Sequence, residues 1–182
     1  ETLEYFRAVA EAGPLPIMIY NNPVDYKILV TLDMFAVMAD WPTVQAVKES
    51  TRDVSNVTRM INRFGDRFSI LCGVDTLALE SLFMGAHGWV AGLVDAFPRE
   101  TVAIYRHVQA GRHAEALAIY RWFLPLLELD IHPRLVQYIK LAELATGIGT
   151  EHVRAPRLPL EGDEFAEVWG IIQEALAKRP EL

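Results

Sequence analysis

One cysteine, Cys72, stands in 182 residues, which excludes an internal disulfide and fits a reducing, cytoplasmic compartment. No GxGxxG or GxxxxGKS/T run occurs, so neither a dinucleotide fingerprint nor a P-loop phosphate cradle is written into the chain. Basic clusters are also missing: the net charge is −7, the pI is near 5.2, and no stripe of arginines is interleaved with aromatics. Nucleic acid is a poor partner for such a surface. The longest apolar stretches, such as WFLPLLEL, fall well short of the ~20 residues a membrane helix needs, so a membrane role is not expected. Five histidines, His87, His107, His113, His132 and His152, lack metal-ligand spacing; exposed or capping roles are expected, with no metal and no cofactor. Lysine is scarce, with four residues against thirteen arginines.

What the chain does have is apolar content. It is 52% hydrophobic with a mean hydropathy of +0.16, enough for a full core and incompatible with disorder. Its opening, ETLEYFRAVAEAG, is amphipathic from the start and lacks an initiator methionine, so it reads as the middle of a longer protein.

Along the chain, Leu3, Phe6 and Ala10 share a helical face that Gly13 and Pro14 stop. Four short apolar runs follow, PIMIY, VQAVK, FSILC and GWVAGLV, each bounded by turn residues and read as buried strands. Helical patterns separate them. Thr31 and Asp53 are placed to cap two of these helices, and Pro98 suits the first turn of the helix after the last strand. Strands alternating with helices predict an α/β fold with a parallel sheet covered by helices. Beyond residue 112 the pattern is purely helical, ending in a helix near Asp163 to Lys178. Four βα units fit either a small doubly wound domain or half of a (β/α)8 barrel, and both put their chemistry at the strand C-terminal ends.

At those ends, three lysines have ordinary settings: Lys27 in a polar loop, Lys140 in a helix, Lys178 in the tail. Lys48 instead closes an apolar strand, where an ammonium is expensive unless something uses it. Period-2 alternation sets Lys48 with Ala46 and Val44, and Tyr20 with Met18 and Pro16. If the two strands are neighbours, a phenol and an amine face one mouth. A neutral lysine amine attacks a carbonyl, and the resulting imine is an electron sink that needs no metal. Low-dielectric surroundings favour a neutral amine, and a nearby tyrosine can move the proton. Two readings stand at this point: a nucleophile with its proton relay, or a rim lysine paired with Glu49 or Asp75 above a packed Tyr20.

The motifs IYNNP, VKES, LCGVD and GAHGWVAGLV fall in order at the four strand ends, and in that order and spacing the chain resembles the dihydrodipicolinate synthase and N-acetylneuraminate lyase family. The resemblance runs through essentially the whole chain and implies the second half, strands 5 to 8, of a (β/α)8 TIM barrel over residues 1–112. The C-terminal helices over 113–182 would pack on it. It further implies a class I Schiff-base lyase, a homotetramer, acting on pyruvate or a related 2-oxo acid. Lys48 matches the family's Schiff-base lysine and Tyr20 its proton-shuttling tyrosine. Gly73 matches a glycine bordering the substrate, and Val90 an eighth-strand residue whose backbone lies beside the bound ketoacid.

The family's first four strands, with the Gly- and Thr-containing carboxylate motif and a further tyrosine, have no counterpart here. A chain limited to these residues would be inactive and would expose two sheet edges. Synthases of the family place an arginine shortly after the YNxP tyrosine, whereas YNNPVD has Asp25 there, and a carboxylate cannot replace a guanidinium clamp. Together with GVDTLALE, GAHGWVAGLVDAFPRET and RAPRLPL, this makes the chain resemble a catabolic branch, with 1-pyrroline-4-hydroxy-2-carboxylate deaminase as the subfamily expected. Sugar-acid dehydratases, pyruvate-dependent aldolases and the synthase itself are the competing enzymes. A silent 2-oxo-acid-binding scaffold is the non-enzyme alternative.

Overall fold

The amphipathic opening folds as helix α1 (Thr2–Glu11). The computed structural model of the chain describes residues 1–90 and 92–182. Cα proximity divides it into two units, Glu1–Val90 and Ala91–Leu182.

In the first unit, PIMIY becomes β1 (Ile17–Asn21) and VQAVK becomes β2 (Val44–Glu49). FSILC becomes β3 (Ser69–Cys72), and β4 is the two residues Gly88–Trp89. The strands form one sheet in the order β1, β2, β3, β4, with every pairing parallel. The expected fourth strand is therefore shorter than GWVAGLV: the Val90 amide still reaches the Cys72 carbonyl at 2.8 Å, and Leu93–Asp95 turn into a single 3-10 loop. Ala91 of that run lies outside the described residues.

Helices α3 (Leu32–Met38), α4 (Ser55–Phe64) and α5 (Ala78–Phe83) connect the strands. One of the two expected caps forms: Thr31 Oγ1 accepts from Met34 N at 3.3 Å at the start of α3. Asp53 does not cap α4, whose N-cap position is Val54 with no side-chain cap bond; its Oδ1 instead accepts from Ser55 N at 3.0 Å in a local turn one residue earlier. One element was not expected: α2 (Pro23–Tyr26), a single turn with proline at its start, capped by the Asn22 side chain. Lys27 closes it in the left-handed conformation, φ 60°, so it is a helix terminus and not a simple loop.

The face of the sheet behind the helices is apolar. Ile19, Val47 and Ile70 pack with Phe35, Met38, Val57, Met60 and Phe68. Phe68 meets Phe35 and Phe64 edge to face at 5.7 and 5.4 Å. Val44 belongs to this core as well, fully buried, and so does not share a face with Lys48 as strict alternation predicts. The cause is in the register. Ile17 pairs with Val44, yet Met18 pairs with Ala46, so Gln45 is an extra residue in β2. A bulge of this kind reverses the side-chain parity on one side of it.

The second unit consists of α6 (Pro98–Gln109), α7 (His113–Leu127), α8 (Leu135–Thr146) and α9 (Gly162–Ala177). Pro98 occupies the first turn of α6 as its fixed φ suggests. Phe97 meets Phe123 at 5.4 Å, and Arg179 reaches the buried Glu100 with its Nη2 3.1 Å from Oε2. Among the described residues no helix is long and apolar enough to cross a membrane.

Candidate active site

The parallel register places Tyr20 directly opposite Lys48 at the C-terminal ends of β1 and β2. Both project from the face opposite the packed core, with Tyr20 37% exposed and Lys48 half-buried. The Lys48 Nζ stands 4.3 Å from the centroid of the Tyr20 ring, within cation–π range. No carboxylate pairs with Lys48 among the described residues. The two candidates are engaged elsewhere: Glu49 points to the other face, and Asp75 accepts from Trp89 Nε1 at 2.8 Å. The rim ion pair weighed from sequence is thus not formed.

Tyr20 is oriented from its own loop. Asn22 Nδ2 donates to the Tyr20 hydroxyl at 2.9 Å and to Asp25 Oδ2 at 2.6 Å, while Asn22 Oδ1 accepts from Asp25 N at 3.2 Å. The phenolic oxygen therefore accepts one bond, and its own proton has no acceptor among the described residues. Tyr26 meets the ring edge to face at 5.5 Å. Asp25 itself is exposed, held by Asn22 as part of the α2 cap.

Beneath these two residues the strand ends are fixed by a buried polar group. Glu49 Oε1 accepts from Thr51 N at 2.9 Å and Oε2 from Asn56 Nδ2 at 2.9 Å and Asn21 Nδ2 at 3.4 Å. Asn21 in turn exchanges two bonds with the Val30 backbone, at 3.1 and 3.0 Å. Desolvation pushes the Glu49 carboxyl above its usual range, and the Thr51, Asn56 and Asn21 bonds oppose that rise without cancelling it. This network ties the β1 end, the β2 end and α4 together, so Lys48 sits on a rigid base.

Gly73 has a steric duty. Its amide continues the sheet to the Glu49 carbonyl at 2.8 Å. A Cβ there would lie 2.0 Å from Ser50 Oγ, 2.7 Å from Lys48 Cγ and 2.9 Å from Lys48 Cε. With Ser50 and Lys48 in these rotamers, any side chain at this position would displace them, so glycine leaves the lysine stem its present place. Val90 uses its amide in the sheet and is half-buried; its tie is to β3 rather than to the Lys48 and Tyr20 side chains. Cys72 is not a nucleophile candidate, since burial pushes its thiol up.

Sequence reading missed two contributors. Asn22 orients the tyrosine, and Ser50 lies 3% exposed with its hydroxyl unpartnered. Alternation from Lys48 reaches Ser50 two residues on, so VKES held a signal for it. Nothing comparable marked Asn22, whose contact depends on the turn into α2. Of the histidines, His87 and His132 accept from backbone amides of Ile70 and Arg134 at 3.0 and 3.2 Å. No group of three or more His, Cys, Asp or Glu side chains gathers around one point among the described residues.

A parallel sheet in sequential order, helices behind it, and polar side chains at the strand C-terminal ends make this part of a (β/α)8 barrel, its strands 5 to 8, followed by a helical extension. The chain belongs to the Dihydrodipicolinate synthetase family, whose family model matches residues 1–175. It is 32% identical over 159 residues to a 4-hydroxy-tetrahydrodipicolinate synthase of Exiguobacterium sibiricum, covering 86% of this chain and 52% of that protein. It is 35% identical over 164 residues to the protein of the same name from Sorangium cellulosum, again covering 86% and 52%. The crystal structure of a dihydrodipicolinate synthase from Bacillus anthracis superimposes with a TM-score of 0.87 at 26% identity, over 98% of this chain and 60% of that one. The chain thus spans about half the length of the curated relatives it matches.

Proposed function

We propose that the intact protein is a class I Schiff-base lyase acting on a small 2-oxo acid or cyclic imino acid, with Lys48 as nucleophile and Tyr20 as proton relay. The observation that carries this reading is the Lys48 amine on the Tyr20 face, at paired strand ends, with no carboxylate among the described residues to hold it. Lys48 Nζ adds to the substrate's C2, the oxygen or nitrogen there leaves with protons, and a protonated imine remains. That imine draws electrons from the neighbouring bond, so a carbon–carbon bond or a leaving group beside it can break. Tyr20, whose proton is uncommitted, delivers and recovers the proton at each stage. The chemistry calls on no metal or cofactor. Gly73 and the Val90 backbone would border the substrate. Residues 1–112 would form the half barrel and 113–182 the C-terminal helices, within a homotetramer.

Within this class, the 1-pyrroline-4-hydroxy-2-carboxylate deaminase reading is the one Asp25 supports. Its carboxylate, fixed by Asn22, stands where a synthase would need a guanidinium for a second substrate's carboxylate. In that reaction the 4-hydroxyl leaves as water, and hydrolysis releases ammonia and a 2-oxo acid semialdehyde. The names of the relatives favour a second reading, the lysine-biosynthetic synthase. A panel assay on the intact protein separates them. Ammonia release from the hydroxypyrroline carboxylate supports the deaminase. Turnover of pyruvate with an aldehyde, and no ammonia, selects an aldolase or the synthase. Loss of water from a sugar-derived 2-oxo acid selects a dehydratase. Binding without turnover of any substrate would leave only a silent binder.

A further inference from the structure

Ser50 lies beside the Lys48 stem and has no part in the chemistry so far. It is 3% exposed, and its Oγ is buried with no hydrogen-bond partner among the described residues. Its amide is satisfied by the Asn21 carbonyl at 2.9 Å, so the backbone is settled and only the hydroxyl is orphaned. Buried hydroxyls are almost always paired, and an alanine here would remove a cost to folding. The orphan also lies in a telling place. Ser50 Oγ and the Cγ and Cε of Lys48 converge on one point above Gly73. A hydroxyl beside the last carbons of the lysine stem reaches what becomes bonded to Nζ, not the far end of a substrate.

We propose that Ser50 is a substrate-contacting residue that donates a hydrogen bond to the C2 oxygen while the adduct on Lys48 forms. This rests on the Schiff-base reading of Lys48. Nζ attacks C2, the carbonyl π bond breaks, and charge gathers on the oxygen. Ser50 stabilises that charge and keeps its own proton. Tyr20 supplies the proton that makes the carbinolamine hydroxyl and takes one back from the Nζ ammonium; delivered to that hydroxyl, this second proton lets the oxygen leave as water, giving the protonated imine. Lys48 must swing off the Tyr20 ring to attack, and moving its stem opens the Ser50 hydroxyl to the new oxygen. Gly73 then serves both residues, because any Cβ there would fill the space the serine needs. The C2 oxygen is common to all 2-oxo acids, so Ser50 governs the rate of imine formation and not the choice among such substrates.

The test is rapid quenching of the intact protein with borohydride at successive times after mixing with pyruvate, reading the mass of the Lys48 peptide. Ser50→Ala is expected to reach the wild-type extent of modification about 10²-fold more slowly, the scale of losing one donor to a developing oxyanion. Its thermal midpoint should be equal to or above that of the wild type, since the lost group was unpartnered. Ser50→Cys keeps nearly the same volume with a weak donor and should also be slow. An alanine variant within about twofold of the wild-type rate overturns the proposal. So does a cysteine variant at full rate beside a slow alanine variant, because volume and not the donor would then matter. A wild type with no adduct on Lys48 would sink the Schiff-base reading itself, whereas unchanged variant kinetics sink only the role of Ser50.

Discussion

Tyr20 accepts a hydrogen bond from Asn22 and lends its ring to the Lys48 amine, so two properties of one side chain can be separated by mutation. Tyr20→Phe keeps the ring and removes the proton. Adduct formation on Lys48 should still reach completion, while kcat/KM for the overall reaction falls by about 10²–10⁴. Equal kcat/KM in the variant would remove Tyr20 from the proton path. Glu49 makes a different prediction at the same scale. Burial raises its carboxyl in the folded state above the unfolded value of 4.5, so its protonated form is the one folding favours. The stability this contributes is complete below the unfolded pKa and is lost as pH rises through the raised folded value. In urea titrations from about pH 4 to 7, the stability of the wild type minus that of Glu49→Gln should therefore fall as pH rises. A value that rises with pH would contradict the desolvation account. At this scale the pairing of Lys48 with Tyr20 was legible because scarcity and an apolar strand single out the lysine, and the two residues end neighbouring strands in parallel register. Ser50 was equally within reach of alternation but was not weighed, and Asn22 was hidden because its role depends on the turn it helps to make.

Strands and helices were legible where local chemistry agrees with the fold: Thr31 caps α3, Pro98 starts α6, and the apolar runs pair in parallel, while Asp53 turns the chain before α4 without capping it. Two features escaped because they are settled by pairing and not by local sequence. The bulge at Gln45 sends Val44 into the core, and no residue type in VQAVK announces it. The brevity of β4 is likewise a matter of where its ladder with β3 ends. The turn from α3 into β2 depends on a distant arginine. Arg67 donates from Nε to the Ala39 carbonyl at 2.8 Å, from Nη1 to Val44 at 2.8 Å and from Nη2 to Trp41 at 2.9 Å, with its guanidinium 4.7 Å from the Phe68 centroid. Three carbonyls on one planar cation set the start of the strand that carries Lys48. Arg67→Met should lower unfolding stability by about 1–3 kcal/mol, measured by urea denaturation, because these part-buried acceptors lose their donor. A variant as stable as wild type would mean that the turn holds without the arginine.

At the scale of the molecule, four parallel βα units and a helical extension make up the C-terminal portion of a (β/α)8 barrel in the Dihydrodipicolinate synthetase family. The alternation of strands and helices pointed to a parallel sheet, while barrel and doubly wound sheet are not distinguished by four units alone; the ordered motifs at the strand ends decided between them. The chain's span of about half its curated relatives places the chemistry in the context of the intact protein. There the central claim is that Lys48 forms the covalent adduct. Borohydride reduction of the intact protein with pyruvate, followed by peptide mass mapping, tests it most directly. The predicted result is a reduced adduct on the Lys48 peptide, absent when Lys48 is changed to Arg. An adduct on Lys27, Lys140 or Lys178 instead, or turnover that survives Lys48→Arg, would contradict it.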